Sequence, residues 1–429
     1  MSISNSSPSL ARRLRKVESQ NITYVAPGFP AFWESARGVR VLDAQGRSYL
    51  DLTAAFGVTT LGHGNKQILM AIRAQSQKLW HGMGDVHPSR VKIELLELLA
   101  KMTPGKLQKT ILSSSGAEAV ESALKTARLF TGKPGVLAFD GAYHGLTYGA
   151  LAATHRPDFS ASFRDQLAPF VVHAPYPDSL HGPDDEDCLR AVQEILKRSR
   201  GKIGAMLVEP IQARGGVRIP KPFFLKRLRE IATQQNILLI VDEIYTGFGR
   251  AGYLFAIERS GIVPDLLCLG KALANGYPIS ACIGTPRVMD AWPKSDGEAL
   301  HTSTFLGNPL GCAMAVASIH ETQKLQLDAR AKETGDWWLA YLKENLGAHP
   351  HIGEIRGCGL MIGIELVKSR HTLEPHPRLA GRIITAALKK GLILLSGGNY
   401  RNVLTLTPPL TISRRDLQST TQILKIILS

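Results

Sequence analysis

Four short runs constrain what this chain can fold into more than any other feature. Val136–Phe139, Ala205–Val208, Ile237–Val241 and Leu266–Leu269 are apolar at every position. A strand with one wet face alternates apolar and polar residues. A run without alternation is covered on both faces, as in a parallel sheet. Between these runs lie segments of helical period. Ala117, Val120, Leu124 and Ala127 fall on one helix face after Gly116, and Arg90 to Met102 repeats in the same way. Thr110–Leu112 reads as a further strand leading to Gly116. Strands alternating with helices predict an open, mostly parallel α/β sheet with helices on both faces.

The flanks read differently. Val39 to Leu52 holds two alternating stretches about Gln45-Gly46, a hairpin pattern. From about residue 320 a helical stretch through Trp337, Trp338 and Leu342 leads to Ile355–Leu366. Strand signals follow at Leu392–Leu395 and Val403–Leu406, which predicts an α+β lobe.

Composition narrows the class. The chain has 429 residues and is 44% hydrophobic, enough for a sizeable core and two lobes. No apolar run approaches the ~18 residues of a membrane span. Five cysteines lie far apart without a C-x-x-C pair, so neither a disulfide framework nor a zinc site is indicated. Cytoplasmic residence is the expectation. The net charge is +15, but the basic residues are dispersed, with no aromatic-interleaved stripe that would mark a nucleic-acid binder. The densest cluster, Arg12, Arg13, Arg15 and Lys16, reads as the solvated face of an N-terminal helix. A Ser- and Arg-rich, acid-poor start is also the composition of a transit peptide, although this one runs directly into patterned sequence.

Two ionisable residues end apolar runs. Asp242 follows Ile237–Val241, at the strand end where open α/β sheets bind ligands. Lys271 follows Leu266–Leu269 and a glycine. Each has an ordinary reading, Asp242 as a helix cap and Lys271 as a snorkelling side chain. Together they suggest a lysine that holds an aldehyde cofactor as a Schiff base and a carboxylate that keeps a ring nitrogen protonated. Ser114-Ser115-Gly116-Ala117 opens a helix, where free backbone N–H groups and the helix dipole attract a phosphate. In Phe139-Asp-Gly-Ala-Tyr-His-Gly, Tyr143 or His144 is placed to stack on a planar ring, or else to sit in a glycine turn. His301–Pro309 is a polar loop whose hydroxyls suit phosphate.

These motifs resemble, in order and over nearly the whole chain from about residue 22, the class III or ornithine/ω-aminotransferase-like family of pyridoxal-phosphate enzymes. The matching segments are Ser-Ser-Gly-Ala-Glu-Ala (114–119), Tyr-His-Gly (143–145), Val-Glu-Pro-Ile-Gln (208–212), Asp-Glu-Ile-Tyr-Thr-Gly-Phe-Gly-Arg (242–250), Leu-Gly-Lys-Ala-Leu (269–273) and Ser-Thr-Phe-Leu-Gly-Asn-Pro (303–309). The resemblance implies fold type I of the aspartate-aminotransferase kind. It implies a large cofactor-binding α/β domain over 61–315 and a small domain from 1–60 and 316–429. Pyridoxal 5′-phosphate is the implied cofactor, and amino transfer to a 2-oxo acid (2-oxoglutarate or pyruvate) by a ping-pong mechanism is the implied reaction. Lys271 is then the Schiff-base lysine and Asp242 the partner of the pyridine nitrogen. Tyr143 stacks on the ring, with His144 beside it. Ser115, Gly116 and Ala117 hold the phosphate, and Tyr245 lies near the ring oxygen. Thr304 reaches the phosphate of a neighbouring subunit, which implies a homodimer with shared sites. Glu209 lies by the cofactor, and Phe56 lines the substrate pocket.

The chain departs from the family pattern where substrate carboxylates are bound. Thr405 and Leu146 stand where many relatives carry arginine, and neither can form a bidentate ion pair. Arg401, Arg214 and Arg218 are the remaining candidates, unless recognition is relaxed toward amines and ω-amino compounds. The same lysine and aspartate also serve epimerases, decarboxylases and aminomutases of this family. A non-catalytic binding protein would have no use for either.

Overall fold

The computed structural model describes residues 7–23 and 30–429. Its centre is a seven-stranded sheet. The strand order is Lys109–Ser113, Ser280–Gly284, Leu266–Leu269, Leu238–Asp242, Ile203–Val208, Gly135–Phe139, Val171–Ala174. All four apolar runs are strands of this sheet, and every residue of Ile203–Val208, Leu238–Asp242 and Leu266–Leu269 is buried. Neighbours from Leu266–Leu269 to Val171–Ala174 pair parallel. Ser280–Gly284 alone runs antiparallel, pairing with both Lys109–Ser113 and Leu266–Leu269. Two strands escaped the pattern reading. Ser280-Ala-Cys-Ile-Gly is built of small and mixed residues, and Val171–Ala174 is a four-residue edge strand.

Because six strands share one direction, their carboxyl ends meet at one edge. Leu238–Asp242 extends one residue beyond the apolar run, so Asp242 is itself the last strand residue and is buried. Helix Gly116–Thr131 leaves the same edge and packs its Ala119, Val120, Ala123 and Ala127 face on the sheet.

Two smaller sheets flank this core. Arg40–Asp43 and Ser48–Asp51 form the expected hairpin, with Asp43 Oδ1 accepting the Gln45 and Arg47 amides at 2.9 Å each. The signal at Leu392–Leu395 is divided in the structure. Leu392–Ile393 pairs parallel with Ser48–Asp51, whereas Leu395–Gly397 joins a sheet with Val403–Leu406, Met361–Leu366 and Ile352–Cys358. A single apolar stretch thus serves two sheets. Ile355–Leu366 is likewise a hairpin rather than one run. Gly359 makes its turn at φ +56°, where a Cβ would lie 2.4 Å from the Gly252 amide nitrogen, so a glycine is required. The basic N-terminal cluster lies on helix Ser7–Val17, which buries none of its residues. Among the described residues no helix is long and apolar enough to cross a membrane.

Glu243, directly after Asp242, pins the following segment. Fully buried, it accepts the Ala256 amide at 3.0 Å, the Ile257 amide at 2.7 Å and the Thr246 hydroxyl. Burial pushes its carboxyl up to about 7, against the pull of these three hydrogen bonds. A carboxyl raised on folding gives stability that is full below its unfolded value. That stability is lost as pH rises through about 7. Glu243→Gln removes the titration at a fixed, pH-independent cost. The stability of the variant relative to the parent should therefore rise between pH 5 and pH 8, by roughly 3 kcal/mol at most. Thermal unfolding at both pH values reads this, and a difference that stays constant contradicts it.

Candidate active site

Lys271 follows Gly270 past the end of its strand and opens a single 3-10 turn at φ +42°. A left-handed lysine costs about 1 kcal/mol, a strain that surrounding structure must hold in place. Its Nζ lies 4.8 Å from the centroid of the Tyr245 ring and makes no hydrogen bond among the described residues. Burial holds the amine below its ordinary value. Asp242 and Glu209 pull it back up, and Arg214 adds to the lowering.

Asp242 is fastened on both oxygens. Oδ1 accepts the Ile244 amide at 3.0 Å, and Oδ2 lies 2.8 Å from His144 Nδ1. With the carboxylate as acceptor, His144 donates from Nδ1. Its Nε2 is then buried without a partner. Glu209 is 6% exposed, and its Oε2 also lacks a partner. Burial first, and then Asp242, drive the Glu209 carboxyl well above the ordinary range, while Lys271 opposes the shift.

Ser115 caps helix Gly116–Thr131 in a reciprocal box with Glu118, whose Oε2 accepts both the Ser114 and Ser115 amides at 2.8 Å. The Gly116 and Ala117 amides, in the first helical turn, have no acceptor among the described residues. Ser280 Oγ donates to Ser115 O at 2.6 Å and ties the cap to the antiparallel strand. Tyr143 is partly buried, with the Arg214 guanidinium 5.5 Å from its ring centroid and Phe159 edge-on at 5.6 Å.

Nine of the ten residues singled out as cofactor-binding line one cavity of about 340 Å³: Ser115, Gly116, Ala117, Tyr143, His144, Glu209, Asp242, Tyr245 and Lys271. Arg214 and the half-exposed Leu146 line it as well. A second, smaller space of about 30 Å³ shares Ala213, Arg214 and Tyr245 with it and is bounded by Thr53, Phe56 and Thr405. Tyr245 Oη lies 3.1 Å from Thr407 Oγ1. The tenth residue, Thr304, is exposed in a turn and lines neither space. Two candidates are not brought to the site. Arg401 is exposed and binds Asp158 at 2.9 Å, and Arg218 pairs with Asp178 at 2.6 Å.

Sequence reasoning missed the device that carries Phe56. Ala54, Ala55, Phe56 and Gly57 form a left-handed turn with φ of 46°, 48°, 64° and 79°. Buried Asp51 clamps its entry. Oδ1 accepts the Thr53 amide at 2.8 Å and the Thr53 hydroxyl at 2.6 Å. Oδ2 accepts the Ala55 amide at 3.1 Å and lies 2.9 Å from His63 Nε2. At Gly57 a Cβ would stand 2.9 Å from the Tyr245 ring. An aspartate two residues before a threonine is the available signal for such a turn, but it does not foretell three left-handed non-glycine residues.

The family model for class III aminotransferases matches residues 24–428. The chain belongs to the class III aminotransferase family. It is 36% identical over 403 residues to the 4-aminobutyrate aminotransferase of Escherichia coli, covering 92% of each chain. It is 37% identical over 393 residues to the 5-aminovalerate aminotransferase of Pseudomonas aeruginosa, covering 91% of each. Among solved structures, an (S)-enantioselective omega-transaminase from Thermomicrobium roseum superposes with a TM-score of 0.92 at 28% identity, covering 99% of both chains. A Bacillus anthracis aminotransferase does so at 0.91 and 29% identity, covering 98% of both. The fold is thus fold type I, and the chain is a pyridoxal-phosphate-dependent class III aminotransferase. The donor set in the cavity fits that cofactor. Two free helix amides suit its phosphate, a fastened carboxylate suits its ring nitrogen, and an amine without a hydrogen bond suits its aldehyde.

Proposed function

We propose that Lys271 Nζ is the covalent anchor of the cofactor and the base of the reaction, and that the donor is an amine or ω-amino acid with no required α-carboxylate. Bound in the cavity, pyridoxal phosphate supplies an aldehyde that exchanges amines and a cationic ring that accepts an electron pair. The chain's own residues do the rest. The Asp242 carboxylate, oriented by His144, holds a proton at the ring nitrogen. The Gly116 and Ala117 amides and Ser115 take the phosphate, and the Tyr143 ring covers one face. Lys271 Nζ, lowered by burial, takes the proton from the amine-bearing carbon of the donor. Tyr245 fixes the lysine's approach through its ring, and Glu209, its carboxyl raised by burial, lines the same cavity.

The observation that carries the donor reading is Thr405. Its hydroxyl donates to Leu395 O at 3.0 Å, so at this position it presents only lone pairs to the smaller space and cannot pair with a carboxylate. Leu146 presents an apolar rim to the larger one. Relatives named for 4-aminobutyrate and 5-aminovalerate support an ω-amino acid at such a site. The same reading divides the chain into a large domain over 61–315 and a small domain from 1–60 and 316–429, with cytoplasmic residence. It also makes the enzyme a homodimer. Thr304 is exposed beside Phe305, which is 62% exposed, and Trp80 and Met83 are likewise uncovered apolar side chains. A second protomer covering them would bring Thr304 to the other cavity's phosphate site.

Steady-state rates with pyruvate or 2-oxoglutarate as acceptor test the donor. 4-Aminobutyrate, 5-aminovalerate and 1-phenylethylamine should react with kcat/KM at least tenfold above alanine and glutamate. An exclusive preference for an α-amino acid contradicts the reading. Light scattering should give twice the chain's mass of 46.7 kDa. A monomer with full activity removes Thr304 from the site.

A further inference from the structure

We infer that Arg214 is the residue that binds the substrate carboxylate, which makes the site selective for 2-oxo acids over acceptors without a carboxylate. The inference rests on the aminotransferase site described above and names the group that gives it substrate selectivity.

Amino transfer to a 2-oxo acid brings a carboxylate into the cavity, and a desolvated carboxylate needs a cation with free hydrogens. Lys271 and Arg214 are the lysine and arginine that line these two spaces. Lys271 is engaged in the chemistry. Arg214 stands where the two spaces join and is counted in the lining of both. Its guanidinium makes no hydrogen bond and no ion pair among the described residues. It is held instead by ring faces, 5.5 Å from the Tyr143 centroid and 5.9 Å from the Phe159 centroid. Contact with the two rings leaves the guanidinium N–H groups without an acceptor among the described residues, so they are available to meet a carboxylate with two parallel hydrogen bonds.

The other arginines nearby are committed. Arg156 is 5% exposed and donates to Arg214 O at 2.5 Å and to Gly398 O at 3.2 Å. Arg218 is paired with Asp178 and Arg401 with Asp158. Arg156 has two effects here. It fixes the backbone that carries Arg214, and it places a second positive charge close by, which raises the local potential felt by an anion. Neither carboxyl in the larger cavity competes for these N–H groups. Glu209 makes no ion pair among the described residues, and Asp242 is fastened to His144 and the Ile244 amide. The guanidinium therefore reaches the substrate without an internal counter-ion to displace, which a salt-bridged arginine would have to do.

The test uses the cofactor-loaded enzyme and compares ligands that differ only in charge. Glutarate and its uncharged diamide are titrated against the visible absorption of the holoenzyme, in the parent, Arg214→Lys and Arg214→Met. In the same proteins, KM for 2-oxoglutarate is compared with KM for benzaldehyde, an acceptor without a carboxylate. Arg214→Met should weaken glutarate binding and raise the 2-oxoglutarate KM at least tenfold. The diamide affinity and the benzaldehyde KM should stay within twofold, with the visible spectrum intact. Arg214→Lys should recover part of the loss. Unchanged glutarate affinity in Arg214→Met overturns the inference, and so does an equal loss for charged and uncharged ligands. The donor reading fails separately, by the donor panel of the parent enzyme, because glutarate binding needs no donor.

Discussion

Everything at this site depends on holding ionisable groups out of water at one edge of a sheet. Lys271, Asp242 and Glu209 line a single cavity, and burial perturbs both Lys271 and Glu209. Desolvation works against every charge placed there, so each group persists only with a stated compensation. Asp242 has an amide and an imidazole. Glu209 answers with a carboxyl raised well above the ordinary range. Lys271 sits over an aromatic face beside an aspartate. The sheet makes this affordable in geometric terms, because six co-directional strands bring their carboxyl ends together and place each group by its backbone rather than by a flexible loop.

How much of this was legible beforehand follows from where the information lies. The four apolar runs announce a sheet covered on both faces, because that burial leaves no room for polar alternation. Helix Gly116–Thr131 announces itself by period and by its serine cap. Asp242 and Lys271 stand out because each is a charged residue directly at the end of an apolar run. The fold hides what is set by long-range pairing. Ser280–Gly284 is a strand only because two neighbours flank it, and Leu392–Leu395 splits because two sheets compete for adjacent residues. The left-handed turn at Ala54–Gly57 is legible in neither period nor propensity. Its conformation is imposed by Asp51, His63 and the Tyr245 ring.

Among the candidate substrate residues the outcome is divided for the same reason. Arg214, Arg218 and Arg401 look alike in sequence, and only the partners differ. Two of them meet aspartates, and the third meets tyrosine and phenylalanine rings. A cation's role at a site is decided by whether a counter-ion has already claimed it, and that is a tertiary fact. Thr405 illustrates the converse. Its position borders the substrate space, yet its hydroxyl hydrogen is taken by Leu395 O.

The covalent role of Lys271 is the point on which the chemistry of this site turns. Borohydride reduction of the yellow holoenzyme fixes the cofactor to the amine that holds it, and peptide mass spectrometry then locates the label. One modified residue is expected, Lys271, with loss of the visible absorption and of activity in proportion to labelling. A label on any other lysine, or full activity after stoichiometric labelling, would contradict it.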